Sequence, residues 1–269
     1  MNVFTVDSLP GSNAVMQVYL SEQKCEHLNL NKRPLIVIFP GGGYSWLADR
    51  EAEPIALAFA GQGYQACIVR YTVRHNNEGP LLGDQPMRDA AAAITYARTH
   101  AEEWGVDPDK ITVIGFSAGG HCAGSIGVFW NNRDRIPDGG EMAKPNAMIL
   151  SYGVLTAAEK THGGSIFNLS GAEPGTKEAE PWSLEKHVSQ DTCPAFIWHT
   201  AEDAVVPVEN ALLMASAMQA HKRPFALHIF THGWHGLSLV RPQLGDGPKE
   251  CKPWFPLALE WLDSMGLGV

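Results

Sequence analysis

The sequence predicts an α/β protein with a mostly parallel central sheet flanked by helices. Short apolar runs alternate with longer helix-like stretches along most of the chain. This spacing implies βαβ units, whose strands pair in parallel. The chain has 269 residues, of which 45% are hydrophobic, and both values suit one domain with a substantial core. We therefore expect residues 1–269 to form a single domain.

Strands are predicted where short apolar runs are rich in β-branched residues. In chain order these runs are residues 15–20, 34–39, 65–71, 111–116, 147–151, 195–199 and 226–230. We expect the first to be antiparallel to its neighbour. The second is strongly apolar and ends at Pro40, which precedes three glycines.

Helices are predicted for residues 52–60, 86–104, 118–130, 208–220 and 253–265. Glycines stop the first, an alanine run favours the second, and the last is amphipathic. Residues 152–191 are an exception, because they contain several glycines and show little periodicity. We expect a loop-rich insertion there with one short helix near residues 183–187, over a sheet edge where insertions commonly shape a pocket.

Charge and composition exclude several classes of partner. The formal net charge is −9 and the pI is near 5.6, whereas nucleic acids and anionic membranes attract basic surfaces. No apolar run approaches the ~20 residues of a membrane-spanning helix, and the N-terminus lacks a signal-peptide pattern. The five cysteines are scattered and form no C-x-x-C pair. We expect a cytoplasmic protein with reduced thiols and no nucleic-acid or membrane partner. The oligomeric state stays open, a homodimer included.

The GFSAG segment at residues 115–119 is the strongest functional signal. It lies between a predicted strand and a predicted helix, where a serine occupies a sharp turn with its hydroxyl above the sheet edge. Gly115 and Gly119 suit a turn in which larger side chains would collide. This arrangement is typical of the nucleophile elbow of α/β-hydrolases, so we predict that Ser117 is a nucleophile. The alternative is an ordinary loop serine in a glycine-rich chain.

A serine nucleophile requires a histidine base and a carboxylate that orients the histidine. In this fold the acid follows the serine and the histidine comes last. Glu202 and Asp203 follow the sixth predicted strand, and both are candidates for the acid. An alternative role for Asp203 is that of an acidic residue at a helix N-terminus. His232 and His235 follow the last predicted strand. Glycines on both sides of His235 allow a turn that directs its ring towards Ser117, so His235 is favoured as the base and His232 is the alternative.

Acyl transfer also requires backbone N–H groups that stabilise an oxyanion, and the loss of one such donor costs ~3 kcal/mol. Gly42 and Gly43 follow an early buried strand, where such a loop is expected, and Ala118 follows the predicted nucleophile. We predict that these three amides form an oxyanion hole. The alternative for the glycine run is a flexible turn.

Three loop aromatics, Tyr44, Trp182 and Trp234, are candidates for an apolar or sugar-stacking pocket wall. The alternative is that they anchor the loops to the core. His121 lies one helical turn beyond Ser117, and we expect it to pack or to form hydrogen bonds. The sequence has no zinc-binding pattern and no nucleotide-binding glycine motif, so we expect neither a metal nor a cofactor.

Five motifs resemble the small bacterial esterase and lipase branch of the α/β-hydrolases, near the hormone-sensitive-lipase-like enzymes and the carbohydrate acetylesterases. They are PGGGY at 40–44, RE at 50–51, GFSAGGH at 115–121, DAVVPVENAL at 203–212 and GWHGLSL at 233–239. The likeness covers nearly the whole chain from about Pro34. The D-x-x-V-P arrangement resembles the acid loop of the family, which favours Asp203 over Glu202. Pro40 replaces the histidine of many lipases, and a long N-terminal helical cap is missing; both departures point away from lipid substrates.

The resemblance implies a serine carboxylesterase that cleaves small esters, above all acetyl esters of carbohydrates, through an acyl-enzyme intermediate. Its partner would be a small-molecule ester. An amidase, formamidase or peptidase with the same three residues is the alternative enzyme. A non-catalytic ligand-binding protein on the same scaffold is a third hypothesis, which the presence of all three candidate residues disfavours.

Overall fold

An eight-stranded sheet forms the centre of the protein in the computed structural model, which describes residues 1–21, 32–244 and 246–269. The strands are β1 (Asn2–Val6), β2 (Val15–Leu20), β3 (Arg33–Phe39), β4 (Gln65–Arg70), β5 (Val106–Phe116), β6 (Ala147–Ser151), β7 (Ala195–Thr200) and β8 (Phe225–Phe230). Their spatial order is β1-β2-β4-β3-β5-β6-β7-β8. The pairs β1–β2 and β2–β4 are antiparallel, as expected for residues 15–20, and the other pairs are parallel.

Helices cover both faces of the sheet. They are α1 (Glu53–Ala60), α2 (Gln85–Thr99), α3 (Ala118–Phe129), α4 (Gly163–Ser170), α5 (Glu209–Ala220) and α6 (Trp254–Ser264). Buried residues of α2, α3 and α5 form one hydrophobic cluster with the sheet, and those of α1 and α6 form another with its opposite face. All seven residues of β3 are buried as a result. This double burial explains why residues 34–39 of β3 form a continuous apolar run in the sequence.

The parallel strands bring distant segments to one edge of the sheet. The glycine run at residues 41–43 follows β3, Ser117 follows β5, Asp203 follows β7 and His235 follows β8. Because the carboxyl ends of parallel strands lie at the same edge, these four loops are neighbours in space.

Every strand and helix predicted from the sequence is present, with corrected boundaries. The helix predicted for residues 86–104 ends at Thr99, and tighter turns follow it. Gly105 adopts φ +62°, so the chain reverses there and β5 already begins at Val106, not at residue 111. Strand β1 has no counterpart in the prediction, because its half-exposed sequence at the sheet edge lacks a clear apolar pattern.

The insertion at residues 152–191 is more regular than expected. It contains α4 and two short 3-10 helices, Glu180–Trp182 and Leu184–His187, of which the second matches the predicted short helix. Helix α4 is an addition to the prediction. It begins with two glycines, which disfavour helices, and its N-cap is His162, whose ring accepts a hydrogen bond from the Ser165 N–H.

The thiols that the structure describes are buried and free. They belong to Cys67, Cys122, Cys193 and Cys251, whereas Cys25 lies outside the described residues. In the described part of the chain, no helix combines the length and the apolar character needed to cross a membrane. The expectation of a single domain over residues 1–269 stays a prediction.

Candidate active site

The turn at Ser117 is held in an unusual backbone conformation, with φ 55° and ψ −122°. A Cβ atom at Gly115 would lie 2.0 Å from the carbonyl oxygen of Gly119, and one at Gly119 would lie 2.0 Å from the carbonyl oxygen of Phe39. Only glycine fits at both positions, because α3 approaches the strand backbones so closely. The G-x-S-x-G pattern is therefore a steric requirement of this turn.

Three side chains from separate loops form one chain of hydrogen bonds. His235 Nε2 lies 2.7 Å from Ser117 Oγ, and His235 Nδ1 lies 2.7 Å from Asp203 Oδ2. A carboxylate only accepts hydrogen bonds, so the proton of the neutral imidazole lies on Nδ1. His235 Nε2 is then free to accept the hydroxyl proton of Ser117. The serine is 7% exposed, so its hydroxyl lies at the base of the site.

The carboxylate of Asp203 has a partner at each oxygen. Its Oδ1 accepts hydrogen bonds from the N–H groups of Val205 and Val206, both at 2.9 Å. Its Oδ2 contacts His235 and lies 3.5 Å from His199 Nε2. Burial alone would raise the pKa of Asp203, but the hydrogen bonds from His199 and His235 hold that pKa below its usual range. The group is therefore ionised at neutral pH, as an orienting acid must be.

The competing candidates lie apart from this chain of hydrogen bonds. Glu202 is exposed, and its Oε2 accepts the N–H of Gly233 at 3.4 Å. His232 is 62% exposed and pairs with Glu250 at 3.0 Å on the surface. Of the two acids and two histidines that the sequence left open, the structure thus brings only Asp203 and His235 to the serine.

The predicted oxyanion loop has its carbonyl groups anchored within the loop itself. The carbonyl preceding Gly42 accepts the N–H of Ala48 at 2.9 Å, and the Gly42 carbonyl accepts those of Ser45 and Trp46 at 3.0 and 3.2 Å. A trans peptide directs its N–H away from its C=O. The N–H groups of Gly42 and Gly43 therefore face away from these anchors, and neither has an acceptor among the described residues.

The third predicted donor, the amide of Ala118, is oriented in the same way. The carbonyl of Ser117 accepts the N–H of Val154 at 3.0 Å, which fixes the peptide that links Ser117 to Ala118. No acceptor in the described part of the chain takes the Ala118 N–H. The three amides that the sequence selected are thus fixed in direction and available for a ligand.

The structure corrects the predicted aromatic pocket wall. Tyr44 is only 1% exposed, and its hydroxyl lies 2.8 Å from His121 Nδ1, so its ring offers no face to a ligand. Trp182 is partly buried, with Arg135 packed over its ring, and its carbonyl oxygen accepts from His121 Nε2. Both residues therefore serve as anchors below the loops. Trp234, which is 56% exposed beside His235, is the remaining candidate.

His121 is the centre of this anchoring contact. Both ring nitrogens have partners, because the hydroxyl of Tyr44 donates to Nδ1 and Nε2 donates to the carbonyl of Trp182. Burial lowers the pKa of His121 to about 4. The ring is therefore neutral at neutral pH and holds the start of α3 to the two loops, which agrees with the packing role expected from the sequence.

Helix α4 also contacts the oxyanion loop, which the sequence analysis did not anticipate. Asn168 Nδ2 donates to the carbonyl oxygen of Gly43 at 2.9 Å. The ring of His162 lies close enough that a Cβ at Gly43 would be 3.5 Å from its Cε1. The insertion therefore supports the oxyanion loop directly. A histidine and an asparagine without periodic neighbours gave no signal of this contact in the sequence.

A buried carboxylate, Glu51, was also missed as a site residue. In the sequence, Glu51 is marked only by the RE motif at residues 50–51. Its neighbours Asp49, Arg50 and Glu53 are charged, a pattern typical of an exposed turn.

No three His, Cys, Asp or Glu side chains of the described residues converge to hold a metal ion.

A parallel sheet with a serine turn, a histidine and an aspartate at its carboxyl edge defines the α/β-hydrolase class. The structure superimposes on the acetyl ester-xyloside bifunctional hydrolase of Caldicellulosiruptor lactoaceticus with a TM-score of 0.81 at 34% identity, over 96% of this chain and 90% of that one. The chain belongs to the BD-FAE family, which it matches over residues 16–218. The predicted fold class and the resemblance to esterases are confirmed.

Two curated relatives are considerably longer than this chain. Endo-1,4-beta-xylanase B of Butyrivibrio fibrisolvens is 38% identical over 218 residues, which are 80% of this chain and 34% of that protein. The acetylxylan esterase of Xylanibacter ruminicola is 30% identical over 242 residues, which are 87% of this chain and 45% of that protein. The chain therefore spans less than half the length of these relatives.

Proposed function

We propose that this protein is a serine carboxylesterase that cleaves small esters, in particular acetyl esters of carbohydrates. The observation that carries the proposal is the unbroken hydrogen-bonded chain from Asp203 through His235 to Ser117. Its nucleophile lies next to backbone amides that have no acceptor in the described protein. Together they supply a nucleophile, a base and donors for an oxyanion, which are the requirements of acyl transfer.

In the first half of the reaction, Ser117 Oγ attacks the carbonyl carbon of the ester while its proton passes to His235 Nε2. The amides of Gly42, Gly43 and Ala118 stabilise the negative oxygen of the tetrahedral intermediate. Collapse of the intermediate breaks the bond to the alcohol oxygen, which takes the proton from His235. Ser117 then carries the acyl group.

In the second half, a water molecule attacks the acyl carbon and gives one proton to His235 Nε2. A second tetrahedral intermediate forms at the same three amides. Its collapse releases the carboxylic acid, and His235 returns the proton to Ser117 Oγ. The ionised Asp203 stabilises the imidazolium in both halves and keeps the ring in one orientation.

The choice of a carbohydrate ester is supported by the relatives and by one surface feature. Two of the similar proteins have names that join acetyl esters with xylan or a xyloside: an acetylxylan esterase and an acetyl ester-xyloside bifunctional hydrolase. Trp234 presents an exposed ring next to His235, and exposed apolar surface beside a site is typical of a ligand-binding groove. We expect Trp234→Ala to raise KM about tenfold for acetylated xylo-oligosaccharides and to leave KM for ethyl acetate unchanged. If the wild type and the variant have the same KM for the oligosaccharides, Trp234 is not part of the binding surface.

Purified protein tested with p-nitrophenyl acetate and with acetylated xylo-oligosaccharides checks the proposal. We expect Ser117→Ala to lower kcat by about 10⁴-fold or more, and a fluorophosphonate probe to label the wild type but not this variant. Ser264→Ala, which changes an exposed serine, serves as the control and should retain full activity.

Matched amides, such as p-nitroacetanilide beside p-nitrophenyl acetate, separate the proposal from its alternatives. Turnover of amides in preference to esters would replace the esterase by an amidase. Equal slow turnover by the wild type and Ser117→Ala, with no probe labelling, would exclude both enzymes and favour a ligand-binding protein.

A further inference from the structure

The side chain of Glu51 is buried against the first residue of the oxyanion loop. It is 1% exposed, and its Oε2 accepts the N–H of Gly41 at 2.8 Å. A Cβ atom at Gly41 would lie 2.6 Å from this oxygen and 3.0 Å from Ser117 Cβ. The carboxylate therefore holds the N–H of Gly41 at a point where the oxyanion loop lies close to the serine.

The other oxygen of Glu51 reaches the loop that carries His235. Oε1 accepts the hydroxyl of Tyr152 at 2.8 Å, and the same hydroxyl oxygen accepts the N–H of Ser238 at 2.9 Å. The ring of Tyr152 lies edge-on to the imidazole of His235, with their centroids 5.1 Å apart. Two hydrogen bonds thus connect the carboxylate to the histidine loop, and Tyr152 contacts the base itself.

Arg50 makes a second connection to the same loop. Its Nε donates to the carbonyl of Gly236 at 3.0 Å, and its own carbonyl accepts the hydroxyl of Ser238 at 2.5 Å. The Nε atom also lies 3.7 Å from Glu51 Oε1. Two residues that follow His235 in the sequence are therefore tied to the turn that carries Glu51.

We propose that Glu51 is a positioning residue that fixes the oxyanion loop and the histidine loop relative to one another. This inference rests on the proposed function, because it assigns a role in that reaction. Both carboxylate oxygens accept hydrogen bonds from opposite sides. Glutamine replaces one acceptor with a donor, so it satisfies either Gly41 or Tyr152 but not both in the present arrangement. One of the two loops would then lose its hydrogen bond to residue 51, and the loops would no longer be held at a fixed separation.

The test compares two single substitutions with their double variant. We expect Glu51→Gln and Tyr152→Phe each to lower kcat by about 10- to 100-fold with little change in KM, because small displacements of reacting groups cost this much. The kcat of the double variant should equal that of the less active single variant, because both changes break the same connection. Tyr152→Phe leaves the Gly41 contact intact, so it answers the question even when Glu51→Gln does not fold.

A second tyrosine–glutamate pair in the same region provides a matched control. Tyr19, in β2, donates to Oε1 of Glu53, the first residue of α1, at 3.2 Å. Glu53→Gln and Tyr19→Phe remove the same type of hydrogen bond and should leave kcat unchanged. Equal losses in the control pair, or kcat values of Glu51→Gln and Tyr152→Phe within about threefold of wild type, would overturn the proposal.

A spectroscopic measurement separates this inference from the proposed function. We expect the proton on His235 Nδ1, bonded to Asp203 at 2.7 Å, to give a low-field NMR resonance that does not depend on turnover. We expect this resonance to shift in Glu51→Gln and Tyr152→Phe and to stay in place in the Glu53 and Tyr19 variants. An inactive wild type with these shifts would refute the esterase and retain the positioning role, whereas an active wild type with an unmoved resonance would refute the positioning role alone.

Discussion

Asp203 and Glu202 are adjacent acids with opposite surroundings. Asp203 is buried and contacts the ring of His235, whereas Glu202 is exposed. Asp203→Asn places an amide where the Nδ1 proton needs an acceptor, so the ring is stabilised in the wrong tautomer. We expect kcat to fall by roughly 10⁴-fold. Glu202→Gln makes the same chemical change one residue away and should keep kcat within about threefold; a comparable loss in both variants would contradict the assignment of Asp203.

His121 gives the folded protein a defined sensitivity to acid. Its pKa is lowered from 6.5 to about 4 by burial, so the unfolded chain binds a proton in this pH range that the folded protein does not bind. The free energy of unfolding should therefore decrease as the pH falls from 6.5 to about 4, by ~3 kcal/mol from this residue. Above pH 6.5 the contribution is constant.

Urea unfolding of the wild type and of His121→Gln at pH 7.5 and pH 4 measures this contribution. Other groups titrate in both proteins, so the difference between the two pH dependences isolates His121. The wild type should lose ~3 kcal/mol more than the variant over this interval. Parallel losses would show that His121 is protonated in the folded protein or lies in a less buried position.

At the scale of elements, helix α3 packs closely against its neighbours at positions that are occupied by glycine. A Cβ at Gly119 would lie 2.0 Å from the backbone oxygen of Phe39, which cannot move without displacing β3. A Cβ at Gly124, in the same helix, would lie 2.7 Å from the Leu184 side chain, whose flexible end can rotate away. The two glycines therefore differ in what surrounds them, although both lie in one buried helix.

We expect Gly119→Ala to destabilise the protein by about 3 kcal/mol or more, because α3 must retreat from β3. Gly124→Ala should change the free energy of unfolding by less than ~1 kcal/mol, because the helix propensity of alanine offsets a small adjustment. Chemical denaturation at neutral pH measures both. Similar losses in the two variants would mean that the distance of α3 from the sheet is not set at Gly119.

The sequence predicted the elements whose pattern is local. The buried parts of parallel strands, such as residues 34–39 of β3 and residues 111–116 of β5, are largely apolar runs, so the sequence identifies them without knowledge of their neighbours. Helix α4 depends on contacts instead, because it starts with two glycines and is held by the bond from Asn168 to the oxyanion loop. Strand β1 is an edge strand, and none of its five residues is fully buried. Neither has a pattern that can be recognised before the tertiary structure is known.

The candidate site shows the same division. Ser117 could be found from its turn, and the order of the loops after it reduced the acid and the base to two candidates each. The choice of aromatic wall failed for Tyr44 and Trp182, because loop residues have no periodicity that distinguishes a buried ring from an exposed one. Glu51 was overlooked because a charged turn gives no indication that one carboxylate points inward.

At the scale of the whole molecule, the thiols that the structure describes are all buried, although they lie in different elements. Each is buried, and burial raises the pKa of Cys193 to about 12 and that of Cys251 to about 11. In a Cys25→Ser variant, we expect the remaining thiols to react with a disulfide reagent about 10³-fold or more slowly than in urea, because reaction requires unfolding. Rapid labelling of the native variant would show that one of the four is accessible.

The order of the strands places Ser117 and His235 on strands with different numbers of neighbours. Ser117 follows β5, which is flanked by β3 and β6, whereas His235 follows β8, which has only β7 beside it among the described strands. Edge strands open at a lower free-energy cost than central ones. Gentle warming should consequently displace the imidazole of His235 first. Esterase activity would then disappear while most of the hydrogen-exchange protection persists. Cooling would restore the activity without refolding of the whole protein.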